Sequence, residues 1–264
     1  MYQDEYKRWL HAELQDVDLK TELQNIEGDD DAIKERFAVA LKFGTAGLRG
    51  TLGAGTNRMN IWVVRQATQG VADWVKTQGG TQTVAISYDS RLKGWNFARD
   101  AAGVLAANGI HVRIYDELMP VPALSFATRY YHCNAGIMVT ASHNPAKYNG
   151  YKAYGPDGCQ MTDEAADIVY HQIQKTDVLT GAKYMSFAEG VNKGLIQFVE
   201  DDCKNALYEA IEARQIRPGI AATSGLKLVY SPLNGTGLVP VTRVLNDIGI
   251  HDITIVPEQE YPNG

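Results

Sequence analysis

Only three cysteines occur in these 264 residues, Cys133, Cys159 and Cys203, and no two of them form a CxxC pair. Their odd number and wide spacing argue against a disulfide framework and fit a reducing compartment. Each is expected to be a small buried or half-buried side chain rather than a metal or redox group. Positive charge is scarce as well. The 25 Lys and Arg stand against 31 Asp and Glu, a formal net charge of -6. That balance sets aside a general nucleic-acid or membrane-surface binder and leaves room for a local basic site. No apolar run approaches the ~20 residues that a membrane helix needs. The opening residues, Met1 to Leu10, lack the apolar stretch of a secretory signal. There is no short internal repeat and no low-complexity tract. What remains is a chain with 45% hydrophobic residues, enough for one large domain or two smaller ones with a real core. A soluble, cytoplasmic, globular protein is the expectation, and composition does not reach activity.

The patterning points to an α/β protein. Trp9, Leu10 and Leu14 recur at helical spacing, and a second helix is expected from the carboxylates Asp29–Asp31 through Ile33, Phe37 and Leu41. The glycine-dense stretch from Phe43 to Gly55 is read as irregular. Residues 59–77 read as a helix ended by Gly79-Gly80, 83–88 as a buried strand, and 96–107 as a helix. A strand over 111–115, a short helix over 122–130 and a strand over 135–140 follow. This alternation predicts right-handed crossovers and a mixed, mainly parallel sheet sandwiched by helices. Thr162 is read as the N-cap of a helix reaching about Thr176, and a connector without clear signal extends to about Val199. A second α/β unit of similar type begins with the helix from Asp201 to Arg214. It continues through strands over 227–230 and 253–256 around a helix at 241–245. Two strands rarely make a finished sheet, so the expected organisation is a domain over 1–200 and an incomplete second domain over 201–264.

The segment richest in chemistry runs from Thr140 to Gly158: Thr140-Ala141-Ser142-His143-Asn144-Pro145, then Asn149-Gly150-Tyr151-Lys152. It starts where the third strand ends, and open α/β sheets bind ligands beyond the carboxyl ends of their strands. Pro145 stiffens the loop. Asn149-Gly150 reads as a turn that returns Lys152 toward Ser142. Three readings stay open on these residues: a connecting loop, a serine hydrolase, and a serine that carries a phosphoryl group. The hydrolase is disfavoured because His143 is the immediate neighbour of Ser142 and no GxSxG is present. Gly235-Thr236-Gly237 gives neither GxGxxG nor a Walker loop and is read as a strand-to-helix turn.

These segments resemble the α-D-phosphohexomutases, the phosphoglucomutases, phosphomannomutases and their relatives. Phe43-Gly44-Thr45-Ala46-Gly47-Leu48-Arg49-Gly50 and Tyr88-Asp89-Ser90-Arg91 match in the same order and spacing. Residues 53–60 resemble the larger phosphoglucomutase/phosphopentomutase-like branch. The resemblance implies a phosphosugar mutase, with glucose 1-phosphate and glucose 6-phosphate as the expected pair. A phosphopentomutase, a phosphomannomutase and a non-catalytic phosphosugar-binding module are the alternatives, and a phosphatase using the same serine is a further rival. By that resemblance Ser142 holds the phosphate, Lys152 acts as general acid and base, and His143 and Arg49 contact the transferring group. Gly44, Thr45, Asn144 and Arg58 bind phosphate or shape the loop, Asp89 and Arg91 brace the site, and Lys93 adds positive potential. The resemblance also implies one Mg²⁺, with the phosphate on Ser142 as one ligand, and a sugar 1,6-bisphosphate as primer. The family's DGDxDR-type metal loop and GEESG-like sugar loop do not occur in this sequence. An N-terminal fragment that does not turn over by itself is therefore expected, with a dimer as one way to cover the second unit.

Overall fold

The structure is a computed structural model and describes residues 1–263. Three helices open the chain: α1 (Tyr2–His11), α2 (Val17–Asn25) and α3 (Asp30–Phe37). The helix α2 has no counterpart in the sequence reading. It is nine residues long and buries only Leu19 and Leu23, one turn apart, so its apolar stripe is too thin to stand out.

The alternating part follows: β1 (Leu48–Thr51), α4 (Ile61–Lys76), β2 (Thr83–Tyr88), α5 (Gly94–Ala107), β3 (His111–Ile114), α6 (Val121–Tyr130), β4 (Ala135–Val139), β5 (Tyr148–Tyr154) and α7 (Asp163–Lys175). Next come α8 (Phe187–Asn192), β6 (Ile196–Phe198) and α9 (Asp201–Glu212). Caps set the helix starts. The Asn60 side chain accepts from the Val63 N–H at 3.0 Å, and Thr162 accepts from Ala165 at 3.3 Å, as its sequence position predicts.

Six strands form one sheet in the order β1-β5-β4-β2-β3-β6. The pairs β4–β2, β2–β3 and β3–β6 are parallel, whereas β5 runs antiparallel to both β4 and β1. The mainly parallel α/β expectation therefore holds. Side-chain alternation divides the core between two faces. Val84, Ile86, Ile137, Val139 and Tyr151 join the side chains of α4, α5 and α7 on one face. On the other face Ala85, Met138 and Tyr154 meet Leu124 and Ala127 of α6, with Cys203 and Leu207 of α9. The chain completes with α10 (Ile220–Thr223), then β7 (Leu228–Tyr230) and β8 (Ile253–Ile255), which pair in parallel around α11 (Leu238–Asp247).

Three local expectations are corrected. The stretch 43–55 contains β1, because Leu48–Thr51 pairs with β5, a partner distant in the chain. A Cβ on Gly150, which lies opposite Arg49, would sit 2.5 Å from the Thr140 carbonyl oxygen and 2.9 Å from that of Leu48. Asn149-Gly150 is not the turn. Both residues lie inside β5, and the reversal is made just before it, where the Tyr148 N–H donates to the Pro145 carbonyl at 2.9 Å. The connector to Val199 holds α8 and the edge strand β6, of which only Ile196 is buried. Cys133 and Cys203 are buried, and burial pushes their thiols up to about 12 and about 11. Cys159, by contrast, is exposed in the turn after β5.

Candidate active site

The strand order places the crevice. The chain leaves β2 for β3 on one side and returns to β4 on the other, so the loops after β2 and β4 diverge at the carboxyl edge of the sheet. Ligands bind at such a switch point. Ser142 projects from the loop after β4 with φ of 57°, the left-handed region that a side chain bearing Cβ enters only when held there. Its Oγ lies 3.2 Å from His143 Nδ1, and both residues are exposed.

The loop after β2 does the holding. The Arg91 guanidinium donates to the carbonyls of Ser142 (2.8 Å), Asn144 (2.5 Å), Pro145 (3.2 Å) and Tyr148 (2.9 Å). Its side chain is only 9% exposed, so this fixed fork of donors is committed to the serine loop and is not free for a ligand. Asp89 accepts the Thr140 hydroxyl proton at 2.5 Å and the Arg91 N–H at 3.1 Å. Burial raises the Asp89 carboxyl above its ordinary range, opposed by these hydrogen bonds and by the Arg91 charge. Asn149, fully buried, ties the base of the loop to the Leu92 carbonyl at 3.0 Å.

Arg49 on β1 reaches the loop through Asn144, donating to its Oδ1 at 3.1 Å. Lys152 sits on β5 directly opposite Met138, which lines the cavity at Ser142, so it shares that face of the sheet. Its ammonium is held below the usual lysine range, first by burial and then by the charge of Arg49, with Asp89 acting the other way. A lysine tuned in that direction is easier to deprotonate and suits general base work. Replacing Arg49 by Gln is expected to raise the Lys152 pKa. The pH dependence of its acylation, followed by peptide mapping, reads that shift, and an unchanged or lower midpoint contradicts the assignment. Because the folded chain binds this proton less tightly than the unfolded chain, the Lys152 contribution to stability improves as pH rises through the window just below lysine's ordinary value.

Gly44 and Thr45 belong to a tight turn in which the Gly47 N–H donates to the Gly44 carbonyl at 2.7 Å. This turn lies on the backbone of β5 beside Lys152. Gly47 has φ of 75°, and a Cβ there would lie 1.9 Å from the Tyr151 carbonyl oxygen. Gly47→Ala is expected to cost on the order of 3 kcal/mol by urea unfolding. A cost below about 1 kcal/mol would show that the turn can move off the strand.

Two proposed charges are not brought to the crevice. Arg58 forms an ion pair with Glu35 and donates to the Asn57 carbonyl at 3.1 Å. Lys93 pairs with Asp16 at 2.5 Å and Asp18 at 3.5 Å. Among the described residues no three His, Cys, Asp or Glu side chains group as a metal would require. The residues present therefore do not by themselves make a magnesium site.

Residues 40–179 match the family model "Phosphoglucomutase/phosphomannomutase, alpha/beta/alpha domain I". The chain belongs to the phosphoglucomutase/phosphomannomutase family. It is 34% identical over 228 residues to a phosphoglucomutase of Staphylococcus saprophyticus, covering 86% of this chain and 41% of that protein. A Staphylococcus aureus phosphoglucomutase is 32% identical over 230 residues, covering 87% and 41%. A Thermus thermophilus structure assigned as a phosphomannomutase superposes with a TM-score of 0.71 at 24% identity, covering 85% of this chain and 47% of that one, which supports the shared fold. The chain thus spans about two fifths of the length of these curated relatives. No helix among the described residues is long and apolar enough to cross a membrane.

Sequence reasoning gave no role to two features of this crevice. Thr140 links Asp89 to the Ser142 N–H. The turn after β7 brings Pro232, Leu233, Asn234, Gly235 and Thr236 to the same cavity of about 650 Å³ that Ser142, His143 and Arg91 line. Leu233 and Asn234 take left-handed φ of 48° and 58° there. The signal was available, since residues 231–237 also follow the carboxyl end of a parallel strand.

Proposed function

We propose that the chain carries the phosphoryl-accepting centre of a phosphosugar mutase, with glucose 1-phosphate and glucose 6-phosphate as the interconverted pair. Ser142 takes a phosphoryl group from a sugar bisphosphate and returns it to the other position of the monophosphate. When Oγ of Ser142 bonds to phosphorus it gives up its hydroxyl proton, the bond from phosphorus to the sugar oxygen breaks, and the sugar oxygen gains a proton in turn. In the reverse direction that proton must leave as the hydroxyl attacks. Lys152, with its depressed pKa and its place on the face of Met138, is the group for that transfer. Arg49 neutralises charge on the moving phosphoryl group, His143 contacts it, and Arg91 and Asp89 keep the loop rigid while it moves. Phosphoryl transfer asks for positioning and charge stabilisation more than for covalent machinery. Magnesium, bound with the Ser142 phosphate as one ligand, would supply further charge neutralisation.

The observation that carries this reading is the exposed Ser142 held in a left-handed backbone at the carboxyl edge of β4, with both of its peptide groups fixed. Because the chain spans about two fifths of its relatives' length, the half-reaction is the direct test. Incubation with glucose 1,6-bisphosphate and Mg²⁺ is expected to add one phosphoryl group, mapped by mass spectrometry to Ser142. A folded chain that takes up none, or takes it up on another residue, overturns the proposal.

A further inference from the structure

We propose that Thr140 is a positioning residue for phosphoryl transfer, acting through Ser142. Its hydroxyl sets the backbone of Ser142 by bonding Asp89 and the Ser142 N–H together. The inference rests on the reading of Ser142 as the phosphoryl carrier.

A threonine hydroxyl has one proton to give and lone pairs to accept with. The Thr140 proton goes to Asp89 Oδ2 at 2.5 Å, and its oxygen accepts the Ser142 N–H at 2.9 Å. The direction of this relay is fixed at both ends. A carboxylate can only accept and a backbone N–H can only donate, so the hydroxyl cannot turn around. Asp89 is itself oriented by the Arg91 N–H at 3.1 Å, and the Arg91 guanidinium grips the Ser142 carbonyl at 2.8 Å. One three-residue strap, 89–91, therefore holds Ser142 at its N–H through Thr140 and at its C=O directly. These two bonds bracket the φ and ψ of Ser142 and account for its left-handed backbone, which aims Oγ at His143 and the cavity.

Other buried threonines in the chain behave differently. Thr68 and Thr128 donate to the carbonyls of Val64 and Leu124 in their own helices, at 2.7 and 2.8 Å. Those two bonds stay within a turn of the same helix. The Thr140 hydroxyl joins two loops that the sequence separates by some fifty residues, and it is 5% exposed. A hydroxyl isostere without the proton or the lone pairs loses both bonds at once. Ser142 then keeps its carbonyl anchor and loses its amide anchor, so its backbone can leave the left-handed region.

The test compares wild type, Thr140→Val and Thr140→Ser in the whole chain, with glucose 1,6-bisphosphate as phosphoryl donor and Mg²⁺ present. Thr140→Val is expected to slow maximal phosphoryl uptake on Ser142 by roughly 10- to 100-fold, the scale of a small misplacement of a reacting atom. The half-saturating donor concentration should move less than about threefold, because the donor's contacts remain. Thr140→Ser keeps the hydroxyl and should stay within about threefold of wild type. In parallel, NMR on protein labelled with ¹⁵N-serine reads hydrogen exchange at the Ser142 amide. It should exchange at least about tenfold faster in Thr140→Val and at the wild-type rate in Thr140→Ser, since exchange follows local opening. Wild-type amide protection in Thr140→Val overturns the proposal. So does a loss in Thr140→Ser as large as in Thr140→Val, which would assign the role to the methyl group and its packing. If wild type itself takes up no phosphoryl group, the carrier reading fails, and the amide exchange still decides whether Thr140 fixes Ser142.

Discussion

Ser142→Ala is expected to abolish phosphoryl uptake and leave the fold in place. The Ser142 Oγ makes one side-chain contact, with His143 Nδ1 at 3.2 Å, and the residue is exposed. The main-chain bonds that hold the loop, from Thr140 and Arg91, do not involve Oγ. Alanine bears the same left-handed backbone strain as serine, about 1–2 kcal/mol in either case. Stability should therefore stay within about 0.5 kcal/mol of wild type, and chemical denaturation checks that figure. Intact-protein mass after incubation with glucose 1,6-bisphosphate reads the activity. Undiminished phosphorylation of this variant would mean that the acceptor lies elsewhere, with His143 the first place to look. A loss of uptake together with unfolding would instead show that Oγ stabilises the loop in a way the hydrogen bonds do not reveal.

The second large effect is expected at Arg91. Its guanidinium satisfies the carbonyls of Ser142, Asn144, Pro145 and Tyr148, while its side chain stays nearly buried. Replacing it by Leu removes all of these charge-assisted bonds and leaves Asp89 without the nearby guanidinium charge. A hydrogen bond to a charged group contributes about 1.5–3 kcal/mol, and the freed carbonyls on the exposed side recover part of that from water. A net loss of about 3 kcal/mol follows, or roughly 6–12 °C in melting temperature for a chain of this size. Phosphoryl uptake on Ser142 should fall by about two orders of magnitude or more, because the reacting oxygen is no longer placed. Arg91→Lys should not restore it. An ammonium is a compact point donor and cannot span carbonyls that a planar fork reaches together. Full activity in Arg91→Lys would show that charge, rather than the fork, is what the loop needs. Limited proteolysis at 143–148 gives an independent readout, since a loosened loop is cut faster.

These two variants separate contributions that sequence alone blends together. Ser142 and Arg91 both stand in segments that resemble the family's, and composition and spacing alone do not say which cations there are left free. The geometry does. Arg91 is used up on main-chain carbonyls, whereas Arg49 gives one bond to Asn144 and remains exposed. Arg58 and Lys93 show the opposite failure. Each is a cation in the right stretch of sequence, and each is already paired, with Glu35 and with Asp16.

The amino-acid sequence by itself determined the alternating α/β order, the buried parallel strands and the motifs that place the chain in its family. Those features are local. The run from Thr83 to Tyr88 is apolar enough for both faces of a sheet, Thr162 caps a helix within its own turn, and the serine loop is contiguous. Tertiary structure alone decided the rest, because the remaining features depend on partners distant in the chain. The glycine-rich stretch became β1 because it pairs with β5, whose Gly150 lets the Leu48 carbonyl approach closely. Asn149-Gly150 entered β5 rather than a turn because it pairs with Gly50 and Arg49 of β1, while on the other side the Gly150 carbonyl accepts the Thr140 N–H at 3.0 Å. The left-handed backbone of Ser142 depends on Asp89 and Arg91, which reach it across the switch point of the sheet, and strain of that kind persists only where distant contacts outweigh it.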